Sequence, residues 1–107
     1  MSDVAVQGLK FVLVSNDATT IVVKAIGCDD SPNTDLTIGA TGTNKFTVYN
    51  ETGGAALVVT TVALAGDEYT LEVAAMVATN VLTVGYELPS VTDEIYDVTE
   101  TVEVTVP

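Results

Sequence analysis

The chain has 107 residues, of which 15 are acidic and 3 are basic, for a formal net charge of −12. That length fits one domain, and the 48% hydrophobic content can fill a buried core, so a disordered acidic tail is excluded. With three scattered lysines and no arginine, the chain has no patch to neutralise phosphates, and its charge opposes docking on anionic membranes.

Nineteen valines and 17 threonines make this a strand-forming composition, because β-branched side chains are stiff in helices and pack well on a pleated surface. In chain order, residues 4–14 read as a first strand whose apolar parity shifts across Gln7-Gly8, the mark of a bulge or a change of sheet. Asn16-Asp17 signals a turn into a second strand from Thr20 to Ile26. Residues 27–35 (GCDDSPNTD) are a loop by composition, and 36–41 read as a short strand. Phe46, Val48 and Asn50 alternate with Thr47 and Tyr49, and Gly53-Gly54 is a hairpin signal before the apolar run 55–65. After Gly66-Asp67, the alternation of Tyr69, Leu71 and Val73 with Thr70 and Glu72 predicts a strand over 69–77, although Ala74-Ala75-Met76 would tolerate a helix. Residues 81–88 read as a further strand, which Pro89 is expected to close. Along 96–106, Tyr96, Val98, Val102, Val104 and Val106 share one parity and threonines and Glu103 the other, which predicts one buried and one wet face.

Leu64-Ala65-Gly66-Asp67-Glu68-Tyr69-Thr70-Leu71-Glu72-Val73 resembles the E–F corner of fibronectin type III and other immunoglobulin-like domains. The resemblance implies that Tyr69 is a corner tyrosine whose hydroxyl bonds to nearby backbone. The final valine-alternating strand is similar to the last strand of such a domain, while the tryptophan common in the family is missing. With turn signals about every ten residues, the expected fold is all-β: a single immunoglobulin-like antiparallel β-sandwich of about seven to eight strands, covering residues 1–107 as one domain.

Catalytic constellations are sparse. Without histidine, no Ser-His or Cys-His pair can form, and one cysteine cannot close a zinc site or a disulfide. Cys28 lies beside Asp29-Asp30, whose charge disfavours a thiolate, so it reads as structural. Asp93-Glu94 is a carboxylate pair in a chain too short for a deep cleft around it. Asp29, Asp30, Asn33 and Asp35 offer oxygens for calcium, but they lack the spacing of an EF-hand loop and are also what an exposed turn carries. Asn50-Glu51-Thr52 formally matches a glycosylation acceptor. No catalytic, cofactor-binding or metal residue is therefore assigned, no cofactor is expected, and the chain is expected not to be an enzyme.

Ser2-Asp3 follows Met1 with no basic or apolar region after it, unlike a signal peptide, and no apolar run reaches the roughly 20 residues that span a bilayer. These features lead to the expectation of synthesis in the host cytoplasm and a place in a virion, without nucleic-acid or membrane partners. The expected role is a non-enzymatic structural protein of a virion, such as a capsid decoration (cement) subunit of a phage or archaeal virus. Its partners would be other subunits, either the major capsid protein or copies of itself, met through apolar sheet faces and the terminal strands 4–14 and 96–106. The alternatives are an immunoglobulin-like adhesion module and, given enough exposed aromatics, a carbohydrate-binding module. The acidity itself fits solvated outer faces, and the absence of arginine speaks against a high-salt adaptation.

Overall fold

The computed structural model describes residues 6–27, 31–87 and 95–107. Among them are ten strands and no helix: β1 (Val6–Asn16), β2 (Thr20–Gly27), β3 (Gly39–Ala40), β4 (Phe46–Asn50), β5 (Ala55–Leu57), β6 (Val59–Ala65), β7 (Glu68–Val73), β8 (Val81–Tyr86), β9 (Ile95–Glu100) and β10 (Val102–Thr105). They form an all-β sandwich of a six-stranded sheet, ordered β3-β6-β7-β2-β1-β9, and a four-stranded sheet, ordered β10-β8-β4-β5. Neighbours pair antiparallel, except β1 with β9, which run parallel.

The period-2 patterns dictate which side chains are buried. Ile21, Val23 and Ala25 of β2 and Tyr69, Leu71 and Val73 of β7 point inward from the larger sheet. Phe46, Val48, Leu82, Val84 and Val104 meet them from the smaller one. Phe46 is the hub of the aromatic part of this core. Its ring centroid lies 5.8 Å from Phe11, 5.2 Å from Tyr69 and 5.3 Å from Tyr86, the last in an edge-on arrangement.

Four elements differ from the sequence expectation, each for a local reason. The apolar run 55–65 is two strands in opposite sheets: β5 belongs to the smaller sheet, β6 to the larger, and Val58 carries the chain between them. A bulge between Val59 and Thr61 then lets both Val59 and Val62 face the core despite their opposite parity. Residues 69–77 leave the sheet at Val73, and Ala75 and Thr79 take left-handed backbone angles, φ 62° and 71°. The terminal alternation is shared between sheets in the same way, with β9 in the larger, β10 in the smaller and Thr101 between them. The predicted short strand over 36–41 shrinks to Gly39–Ala40, where Gly39 has φ 117°. These breaks raise the strand total above the seven or eight expected.

The first strand also departs from expectation. Its register with β9 is regular from Val6 through Leu9, so no irregularity falls at Gln7-Gly8; the shifts come at Leu9/Lys10 against β9 and at Leu13/Ser15 against β2. It lies between β2 and β9, but only Leu9 and Lys10 are paired on both sides; residues 6–8 pair with β9 alone and most of 11–16 with β2 alone. Leu88 and Pro89, and Val4 at the expected start of the first strand, lie outside the described residues.

Candidate functional site

The sandwich has two long sides, and at each of them the chain crosses from one sheet to the other. On one, the chain crosses between sheets through β9 and β10, a stretch that carries Asp97, Glu100 and Glu103. That side is also tied together: Asn16 at the end of β1 donates its Nδ2 hydrogen to the Thr105 carbonyl of β10 at 3.0 Å. On the other side the chain crosses through β5, Val58 and β6, within the uncharged run 52–66. Facing the Val58 crossing is the start of a second uncharged run, 73–86. No other uncharged stretches in the sequence are as long.

These two runs meet in space. The Ala74 amide donates to the Val58 carbonyl at 2.9 Å, next to the Val59–Val73 pair. At its far end, the 74–80 loop is bracketed by the β4–β5 hairpin. Glu51 N–H donates to the Val81 carbonyl, and Val81 N–H donates to Thr52 Oγ1, both at 2.9 Å. Among residues of described burial, Val77 and Val58 are the most exposed large hydrophobics, at 54% and 51%. Ala55, Ala56, Ala74 and Ala75 are exposed with them.

The edge strand β5 is held in place by its turn. Gly54 has φ 72°, a conformation glycine reaches without steric cost. Gly54 N–H donates to the Asn50 carbonyl at 2.7 Å, and Gly53 N–H donates to Asn50 Oδ1 at 3.0 Å. β5 pairs with β4 on one side only, so alternate backbone N–H and C=O groups face outward without a strand partner. Natural edges are usually protected by shortness, charge, proline or a bulge; β5, three residues long, has only the first of these. Ala56 also ends a row across the outer face of the smaller sheet, through Tyr49, Thr83 and Glu103. Tyr49, at 42% exposed, is the one aromatic outside the core among residues of described burial.

The residues singled out from sequence as chemical candidates do not form a described site. Cys28, Asp29, Asp30, Asp93 and Glu94 lie outside the described residues. Asn33 Oδ1 accepts the Asp35 amide at 2.9 Å, the bond of an Asx turn. Among the described residues, no group of three acidic or cysteine side chains is placed to hold a metal ion. Asn50 of the glycosylation match is only 6% exposed, and its side chain closes the hairpin, which is incompatible with carrying a glycan in the folded state. No family model, curated protein or solved structure matches the chain.

Tyr69 differs from the corner role implied by the resemblance. Its hydroxyl does bond to backbone, but at a distance in sequence: it donates to the Asn33 carbonyl at 2.9 Å and accepts the Leu36 amide at 3.1 Å. Tyr86 accepts the Thr37 amide at 3.0 Å. Two buried tyrosines from opposite sheets thus hold the 33–37 segment across one end of the sandwich. Sequence reasoning found the tyrosine and not its partners, since period-2 patterning carries no information about which loop lies over a strand. The uncharged edge was legible as a run without charge, but its exposure was not.

On the outer face of the larger sheet, Lys24 Nζ lies 3.7 Å from Asp67 Oδ2. Both side chains are well exposed, so the pair contributes little to stability. In the β1–β2 turn, the Asp17 carboxylate accepts the Thr19 and Thr20 amides at 2.8 and 2.7 Å. These bonds, that from the Thr19 backbone foremost, pull its pKa from the usual 3.8 to about 2. Among the described residues, no helix is long and apolar enough to cross a membrane.

Proposed function

We propose that this chain is a non-enzymatic structural subunit of a virion, a capsid-decoration or other outer-surface protein of a phage or archaeal virus. The observation that carries the proposal is the open strand edge at β5, which lies within the uncharged run 52–66 of an otherwise acidic chain. Such a body suits contact with neighbouring proteins along one side while the rest stays solvated. A strongly acidic subunit is also best placed on the outside of a particle, away from packaged nucleic acid.

The strand order supports an immunoglobulin-like variant of the fold. Read as A, B, E and D, the strands β1, β2, β7 and β6 lie side by side in one sheet, and β4, β8 and β10 take the places of C, F and G in the other. In this lettering Tyr69 stands on strand E, not at the start of F where the family's corner tyrosine belongs. The same order favours the second reading, an adhesion or recognition module acting through its end loops.

Mass spectrometry of purified virions separates the two. The decoration role predicts this chain in many copies per particle, and co-sedimentation of added protein with particles stripped of it. Absence from virions, together with binding to cells, would replace it with the adhesion reading.

A further inference from the structure

We infer that this chain is a load-bearing module, in which tension entering ahead of β1 and leaving after β10 is carried in shear by the parallel β1–β9 ladder. The inference goes beyond the assembly role and rests on strand direction alone. β1 is the first described strand, and β9 and β10 are the last. In the larger sheet, β1 and β9 lie side by side, with Val6 on Ile95, Gln7 on Tyr96, Gly8 on Asp97, Leu9 on Val98 and Lys10 on Glu100. Because the two strands run the same way, tension between the start of β1 and the end of β10 draws them past each other along their length. Every hydrogen bond of the ladder is then loaded at once. A ladder pulled apart from one end yields its bonds one after another, each at a lower force.

Both strands are anchored behind the ladder. β1 pairs with β2 from Leu9 to Asn16, and Phe11 is buried in the core. β10 pairs with β8 from Val102 to Thr105, and Val104 and Val106 are buried. Past β10, Val106 N–H donates to the Asn80 carbonyl at 3.0 Å, and the Val106 carbonyl accepts the Thr79 amide at 2.8 Å. The bond from Asn16 Nδ2 to the Thr105 carbonyl joins β1 directly to β10 at the far end, and the same displacement stretches it. Pulling β1 out breaks its ladders with both β2 and β9, and pulling the last strands out still shears β9 along β1. A parallel pair is slightly weaker per residue at equilibrium than an antiparallel one. The arrangement thus adds resistance along one direction rather than general stability.

The test is single-molecule force spectroscopy of the full chain in a Cys28→Ser background. It is held at the N-terminus and either at the C-terminus or at Glu94→Cys. Position 94 immediately precedes Ile95, the partner of Val6, so the second geometry opens the same ladder from its end. At one pulling speed, the expected peak force is several-fold higher between the termini than between the N-terminus and position 94. Forced opening reports the unfolding rate along the pulled direction, which equilibrium stability does not fix. Residues 6–8 pair with β9 alone, and successive backbone amides of a strand point to opposite sides. Of Gln7→Pro and Gly8→Pro, one therefore removes a bond of the ladder and is expected to lower the force between the termini. Asn16→Ala should also lower that force, while leaving the force at position 94 and the urea midpoint close to those of the parent. Equal forces in the two geometries, or a force between the termini that none of the three variants lowers, overturns the inference. A chain found in virions that opens as easily in both directions refutes the load-bearing role and leaves the virion role standing.

Discussion

The hydroxyl of Tyr69 on β7 donates to the carbonyl oxygen of Asn33 at 2.9 Å, fastening the core of the larger sheet to a segment 36 positions earlier in the chain. The Tyr69 hydroxyl oxygen in turn accepts the buried Leu36 amide at 3.1 Å. Tyr69→Phe removes both bonds and keeps the ring against Phe46, so it isolates the hydroxyl. Because it leaves a buried amide and a carbonyl unpaired, the expected loss is about 2 kcal/mol. Tyr86→Phe frees the amide of exposed Thr37, which water can reach, and should cost about 1 kcal/mol or less. Urea unfolding of both variants checks the order; equal losses would mean that the 33–37 segment is not held differentially by the two hydroxyls.

Phe46 bridges Phe11, Tyr69 and Tyr86 and is buried. Phe46→Ala should cost about 3–5 kcal/mol, by lost transfer energy and an unfilled cavity at the meeting point of the two sheets. A small domain has about 5–15 kcal/mol in total, so this variant should be barely folded at 37 °C. Phe46→Leu refills most of the space and should retain more than half of the lost stability. Thermal melts of the two variants test this, and equal melting temperatures would show that the ring is not what fills the site.

How far the sequence foretold this fold follows from what period-2 patterning can encode. Alternation in β2, β4, β7 and β10 places Ile21, Val48, Leu71 and Val104 in the core, and all four are buried. Patterning does not encode which sheet a strand joins. The runs 55–65 and 96–106 keep strand chemistry while the chain passes from one sheet to the other at Val58 and Thr101, a tertiary event without a glycine or proline to mark it. The open edge at Ala55–Leu57 was hidden for the same reason: alanines read as core filler until their strand is found at the end of a sheet.

Asp17 gives a pH dependence with a definite sign. Its carboxylate, bonded first to the Thr19 backbone amide and then to Thr20, titrates at about 2 in the folded chain against the usual 3.8. A depressed folded-state pKa contributes stability that is present above the unfolded value and is lost as pH falls through the folded one. The contribution should thus disappear between about pH 4 and pH 2. Asp17→Asn keeps an acceptor for the turn but has no titration. The difference in urea midpoint between the two proteins should be constant at neutral pH and shrink across that window. A difference independent of pH would show that the carboxylate's charge plays no part in the turn.

The backbone of the 74–79 loop is strained at residues other than glycine, and its relief can be measured. Thr79 sits at φ 71°, where a β-branched side chain crowds its own carbonyl, and it stays there because its amide donates to the Val106 carbonyl at 2.8 Å and Asn80 N–H donates to the Val77 carbonyl at 3.1 Å. The left-handed conformation costs an L-residue about 1–2 kcal/mol, while glycine loses about 0.5–1 kcal/mol more chain entropy on folding. Thr79→Gly should therefore stabilise the fold by about 0.5–1 kcal/mol, and Ala75→Gly by somewhat less, since alanine lacks the branched Cβ. Both residues are exposed, so no buried contact is lost with the side chain. Paired urea titrations decide the matter. If Thr79→Gly is destabilising, the threonine side chain holds this loop and the strain is not what shapes it.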